Sequence, residues 1–314
     1  MKNIYEQVDA NKWKSGVVVV IFAVVTAVSI YFISMGMAAY FGGSGGVREI
    51  GGVGVIGMAL IISGLMSFTG YWFSDKIVLG ISRAKPADRK KDFLFYTVAE
   101  NMSLAAQVPM PKLYVIDDTA PNAFATGRDP QHAVICATTG ILSKLNRTEL
   151  EGVVAHEMSH VQNYDIRLMS VVSVLVGMVV LLGDMFMRVT WWGGRGRGDR
   201  DDKGSGAIFI VIGLIFAILS PIVAQLIQLS ISRRRELLAD ASAVKLTRQP
   251  EGLLNALVKI SADRKPLEVA NKATAHLYII NPFKGVHGTR DWLAGMFNTH
   301  PSLAERVKQL RGMM

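Results

Sequence analysis

Cysteine is almost missing from this chain of 314 residues: Cys136 stands alone. One thiol cannot close an intramolecular disulfide, which excludes a disulfide-stapled secreted scaffold and agrees with a reducing compartment. Within Ala133–Ala137, Cys136 reads as a buried strand residue, neither a nucleophile nor a ligand. Acidic residues are the minority charge, 25 against 34 Lys and Arg, for a formal net charge of +9. That excess suits a chain lying against anionic lipid, without requiring nucleic acid. The one Gly-Arg-rich string, within 188–205, has no interleaved aromatic residue beyond Trp191 and Trp192 and reads as a loop, so no nucleic-acid partner is expected. Histidine is also scarce, with six in the chain. No internal repeat is visible.

Long apolar runs are plentiful. Half of the residues are hydrophobic, and the mean hydropathy is +0.31. Gly16 to Phe41, Gly51 to Phe73 and Ala207 to Leu229 each carry enough apolar length to span a bilayer; Leu168 to Gly183 is marginal unless extended toward Met187. The first run is too long for the core of a signal peptide, and no small-residue cleavage site follows it. Lys2, Lys12 and Lys14 precede the first run, and Lys76, Arg83, Lys85, Arg89, Lys90 and Lys91 follow the second, whereas Arg48 alone lies between them. By the positive-inside rule the N-terminus and the segment after the second run face the cytosol. The basic 188–205 segment runs against this orientation, because the same topology exports it.

Against the scarcity of histidine, His156-Glu157-Met158-Ser159-His160 stands out. Histidines at i and i+4 share one helix face, so two imidazoles can hold one metal ion without distorting the backbone. Glu157, next to the first, can act as a general base on an activated water. Thr148 to Glu151 reads as a capping box, with Thr148 as N-cap, and Leu150, Val153, Val154, Met158 and Val161 form the apolar stripe beneath the metal face.

A catalytic zinc site takes three protein ligands. Asn163 and Ile166 stand where the elongated metzincin pattern has glycine and histidine, so the third ligand comes from elsewhere. Glu236 is the candidate. Asp240 follows it at i+4 on the same face and is placed to accept from the free ring nitrogen of a liganding histidine. The competing reading is an exposed acidic face paired with Arg233 to Arg235. If His156 and Glu236 bind one ion they lie on one side of the membrane. The chain between them then crosses an even number of times, which requires 168–187 and 207–229 both to span or both to form a re-entrant or buried hairpin.

His156 to His160 followed by Glu236-x-x-x-Asp240 resembles the HtpX-type membrane zinc metallopeptidases, bacterial relatives of the CAAX prenyl proteases. Pro121-Asn122-Ala123-Phe124-Ala125-Thr126-Gly127 is similar to that family's strand upstream of the zinc helix, and His300-Pro301 with Arg306 to its C-terminal His-Pro segment. The resemblance implies an α+β, mainly helical integral membrane protein with four transmembrane helices and a zincin-like catalytic domain, a small sheet packed on the His-Glu-x-x-His helix. It implies one zinc ion held by His156, His160 and Glu236, and proteolysis of membrane or misfolded proteins at the cytosolic face of the bacterial inner membrane in envelope quality control and stress response. Partners would be protein substrates and the lipid bilayer. On this reading residues 1–75 form a membrane hairpin, 76–166 carry the zinc helix, 167–230 form a second hairpin, and 231–314 bring the third ligand and a last helix.

Helices are expected over 92–107, 140–145, 148–160, 232–247, 251–262 and 302–311, and strands over 112–116, 123–126 and 133–138. Asn122 to Thr126 is the expected sheet edge, able to add an extended peptide as a strand. The oxyanion needs a second electrophile; His300 is the candidate, and Asn122 a second one, with turn shaping as the alternative role for Asn122. His132, His276 and His287 read as surface or packing residues. Two other functions remain open: a CAAX-type prenyl-peptide protease and a non-catalytic zinc-stabilised membrane scaffold, which would need the ligands but not Glu157.

Overall fold

The computed structural model describes residues 9–21, 23–24, 26–28, 31, 53–177, 233–269, 274–282 and 301–314. Helix α1 (Asp9–Val28) carries the first part of the first apolar run, α2 (Val53–Trp72) carries most of the second, and the short α3 (Ser74–Ile81) leads into the mixed part. There β1 (Lys85–Pro86), α4 (Phe93–Ala106), β2 (Lys112–Ile116), β3 (Ala123–Thr126), β4 (Val134–Thr138), α5 (Thr139–Lys144) and α6 (Arg147–Gln162) follow in order. Helix α7 covers 165–177. Helices α8 (Arg233–Thr247), α9 (Pro250–Ala262) and α10 (Leu303–Arg311) complete the described elements.

The sheet order is β1-β2-β4-β3. β2 and β4 are parallel, and the two outer pairs are antiparallel. Alternation divides the strands between two cores. Ala123, Ala125, Ile135 and Ala137 face a core shared with α4, α6 and α9, whereas Phe124, Val134 and Cys136 face Leu277 and Tyr278. β3 is an edge strand, as expected.

Helix α6 is the hub of the mixed part and packs on α8, α9 and α4. All five residues of its expected apolar stripe are buried. Its cap differs from the expected one. Asn146, not Thr148, accepts from the Glu149 amide, and the Glu149 carboxylate accepts from the Asn146 amide, a reciprocal capping box two residues earlier. Asparagine is a better N-cap than threonine, and Glu149 in this register also meets Lys259 of α9. Helices α6 and α9 cross through glycines. A Cβ on Gly152 would lie 2.5 Å from the Leu253 nitrogen, and one on Gly252 2.6 Å from the Thr148 carbonyl oxygen.

Among the described residues one helix, α1, is long and apolar enough to cross a membrane; Leu60–Trp72 is a shorter apolar helical stretch. The other expected transmembrane helices are not counted among the described residues, since much of the first run, the end of the third and all of the fourth lie outside them. Helix α1 begins before the apolar run because Asp9, Asn11, Lys12 and Lys14 join it. The expected run at 168–183 is described as far as 177, and residues 168–177 are all buried against protein. Ser170 bonds Thr126 and Gly127, and Ser173 approaches His276. The run at 207–229 lies outside the described residues, as do His300 and His287.

Candidate metal centre

The last two turns of α6 and the first of α8 bring three donor groups together. His156 Nε2 and His160 Nε2 face each other at 3.3 Å, with the rings nearly perpendicular. Glu236 presents Oε2 at 3.7 Å from His156 Nε2 and Oε1 at 3.5 Å from His160 Nε2. All three residues are buried, and their donor atoms lie within 4.8 Å of one another. Tetrahedral zinc with Zn–N of about 2.0–2.1 Å sets ligand nitrogens roughly 3.3 Å apart, so this nitrogen-nitrogen-oxygen set fits a zinc ion. Glu236 and Asp240 are 3% and 0% exposed. The alternative of a solvated acidic face does not describe them.

Each histidine is held from behind. His156 Nδ1 lies 2.9 Å from Asp240 Oδ1, and His160 Nδ1 lies 3.1 Å from Asp165 Oδ2. A carboxylate there keeps the proton on Nδ1 and leaves Nε2 for the metal. Arg306 in turn grips Asp240 through Nε at 2.8 Å and Nη2 at 2.6 Å, and donates to the Ile279 carbonyl. Burial opposes the charge on Asp240, but Arg306 and His156 hold its carboxyl below the usual range. The histidines diverge. Burial lowers His156 below the ordinary imidazole value. For His160, burial is outweighed by the Asp165 hydrogen bond and the nearby Glu236 and Glu157 carboxylates, which push it up to about 9.

Glu157 points toward the sheet edge. Burial raises it to about 7, with Glu236 adding to the shift, while His160 and a hydrogen bond from the Ala125 amide work against it. A carboxylate near neutrality can both take and return a proton. The amide comes from β3, so the outer edge of that strand borders Glu157. Asn122, 4% exposed, donates its amide to the Ile280 carbonyl at 2.9 Å, and its Oδ1 accepts from Ala123. This is a loop-holding arrangement of the kind expected for a turn residue. Farther off, His276 is fully buried against Ser173 and Met169, and His132 pairs with Asp129.

Sequence reasoning missed Asp165. It stands at i+5 from His160, where it opens α7 across a tight turn, outside the helical spacing used to find Asp240. Arg306 carried a signal only through the C-terminal resemblance.

Two imidazoles, a carboxylate and an adjacent buried glutamate beside a sheet edge define a site of the metallopeptidase class. The chain belongs to Peptidase family M48, whose model matches residues 94–314. It is 43% identical over 315 residues to "Protease HtpX homolog" of Caldanaerobacter subterraneus subsp. tengcongensis, covering 99% of this chain and 98% of the relative. Proteins of the same description from Dictyoglomus turgidum and Streptococcus uberis are 41% and 38% identical, each covering at least 98% of this chain and 94% of the relative. Among solved structures, that of S. mikatae Ste24p matches with a TM-score of 0.46 and 20% identity, covering 84% of this chain and 60% of that one.

Proposed function

We propose that this protein is a membrane-bound zinc endopeptidase that cleaves extended segments of membrane or misfolded proteins at the cytosolic membrane face. The observation that carries the reading is the buried His156, His160 and Glu236 set with Glu157 poised near neutrality beside it. A zinc ion bound there would activate a water molecule and polarise the scissile carbonyl. Glu157 takes the water's proton on its carboxylate and passes it to the leaving amine. Asp240 and Asp165 hold the ring orientations, and the peptide is aligned beside β3 near Ala125, because the amide of Ile279 already occupies the Ala123 carbonyl on the outer edge. The oxyanion falls to His300. Asn122 is the weaker candidate, because its amide is engaged by Ile280.

Membrane association is supported by the exposed apolar residues of α1 and α2, among them Val20, Val24, Leu60, Ile61, Leu65 and Phe68. Basic and aromatic side chains pair near the ends of those helices. Lys12 lies over Tyr164, Arg128 over Trp72, and Arg167 between Tyr71 and Tyr164. Such a belt suits the headgroup region. A role in envelope quality control is the reading that the resemblance already given supports.

The test uses the full chain in detergent, with metal content and hydrolysis of an unfolded protein measured together. Glu157→Gln should retain zinc and lose activity by roughly 10²–10⁴-fold, whereas His156→Ala and Glu236→Ala should lose the metal. Near-wild-type hydrolysis by Glu157→Gln would overturn the mechanism, and normal zinc content in Glu236→Ala would overturn the ligand set.

A further inference from the structure

We infer that Asn11, in the first apolar helix, is a positioning residue of the metal centre and acts on His160 through Asp165. The inference rests on the zinc-site reading above but concerns a residue well before the part matched by the family model, residues 94–314.

The geometry is specific to an asparagine. Asn11 Nδ2 donates to Asp165 Oδ1 at 2.7 Å and to the carbonyl of Asn163 at 2.9 Å, while its Oδ1 accepts from Arg235 Nη1 at 3.1 Å. Both amide hydrogens and the amide oxygen are thereby used. Arg235 also donates to Asp165 Oδ1, at 3.1 Å. Asp165 therefore receives Asn11 and Arg235 on one oxygen and faces His160 with the other. Asn11 and Asp165 are each 3% exposed, so neither hydrogen-bond set is replaced cheaply by water.

The place held is the turn that ends the metal helix. Asn163 is the C-cap of α6, Tyr164 adopts φ 58, a left-handed conformation that a bulky residue seldom takes, and Asp165 opens α7. Asn11 bridges the first and last of these three residues. Arg235, beside the ligand Glu236, closes the same network from α8. One buried amide thus ties α1 to both metal-bearing helices. The first helix becomes part of the site, in addition to any anchoring it provides.

Asn11→Asp is the discriminating variant. It keeps size and shape but sets a second carboxylate against Asp165 in place of a donor. Zinc affinity is measured by chelator competition on the detergent-purified full chain, with melting temperatures of metal-free and zinc-loaded protein and the visible spectrum of the Co²⁺-substituted form. Asp165→Asn should weaken zinc binding roughly 10–100-fold, and Asn11→Asp about 10-fold. Both should alter the Co²⁺ bands and shrink the zinc-induced rise in melting temperature. The double variant should lose less than the product of the single losses, because both changes act on one hydrogen-bond network. Multiplicative losses, an unchanged Co²⁺ spectrum, or equal falls in the two melting temperatures would assign Asn11 a purely structural role and overturn the inference. Should Asn11→Asp fail to fold, Asn11→Ser is read by the same criteria. His156→Ala is the reference. If it binds zinc normally, the zinc-site reading itself fails; if it loses zinc while both Asn11 variants bind as wild type, only the role of Asn11 fails.

Discussion

Arg306 holds both carboxylate oxygens of Asp240, and both side chains are almost wholly buried. The fork of a guanidinium matches a carboxylate in a way that a lysine ammonium cannot. Arg306→Lys should therefore leave Asp240 only partly paired. Removing a partner from a buried ion pair costs roughly 3–5 kcal/mol; lysine keeps the charge, so a loss toward about 2 kcal/mol is expected. Zinc affinity should fall with it, since Asp240 would steer the His156 ring less firmly. Denaturant unfolding and chelator competition check the two effects, and an unchanged zinc affinity would separate Arg306 from the metal site.

Zinc uptake should release protons near neutral pH. In the metal-free protein His160 is pushed up to about 9, above its ordinary value, so at pH 7 its ring is charged. A ligand imidazole must be neutral. Each zinc ion bound should therefore displace about one proton from His160, and apparent affinity should rise by up to about tenfold per pH unit between about pH 7 and 9. Titration calorimetry in buffers of different ionisation enthalpy reads the proton count; a pH-independent affinity over this range would contradict it. The sign for stability is opposite. A raised histidine stabilises the metal-free fold fully below pH 6.5, and that contribution is lost as pH rises through about 9.

The glycine crossing of α6 and α9 leaves no room for a methyl group. Gly152→Ala would place its Cβ against the backbone of Leu253, at 2.5 Å from the nitrogen and 2.7 Å from Cα. Backbone cannot step aside as a flexible side chain can. Helix separation should increase, at a cost of roughly 1–3 kcal/mol, in spite of alanine's better helix propensity. Thermal unfolding should record a lower melting temperature. An unchanged or raised value would mean that the helices can part freely.

What could be read in advance was local. Strand β2 falls where alternation put it, β3 falls at the expected 123–126, an edge position that the family resemblance also indicated, and β4 starts one residue late. The expected helices end within a few residues of those described, because hydrophobic period and caps are properties of neighbouring residues. Glu236 and Asp240 were found for the same reason, as an i, i+4 pair. The cap at Asn146 was also legible locally, because Asn146-x-x-Glu149 is a capping-box spacing that competes with Thr148-x-x-Glu151, and asparagine caps better than threonine. Asn11 to Asp165 and Arg306 to Asp240 are pairings across distant parts of the chain. Their residue types signal only that a polar side chain needs a partner. Apolar length likewise shows that a segment must avoid water, but not whether lipid or protein covers it, as buried residues 168–177 illustrate.

The Arg306 clasp also orders the life of the molecule during synthesis. Asn11 leaves the ribosome first among the residues of this network, and Arg306 follows His156, His160, Asp165, Arg235, Glu236 and Asp240. Until Arg306 arrives, Asp240 has no guanidinium to offset its burial, and the backing of His156 is incomplete. The hydrolytic centre therefore matures after the remainder of the described site has been made, and a growing chain carries its histidines and Glu157 well before it can set them firmly in place.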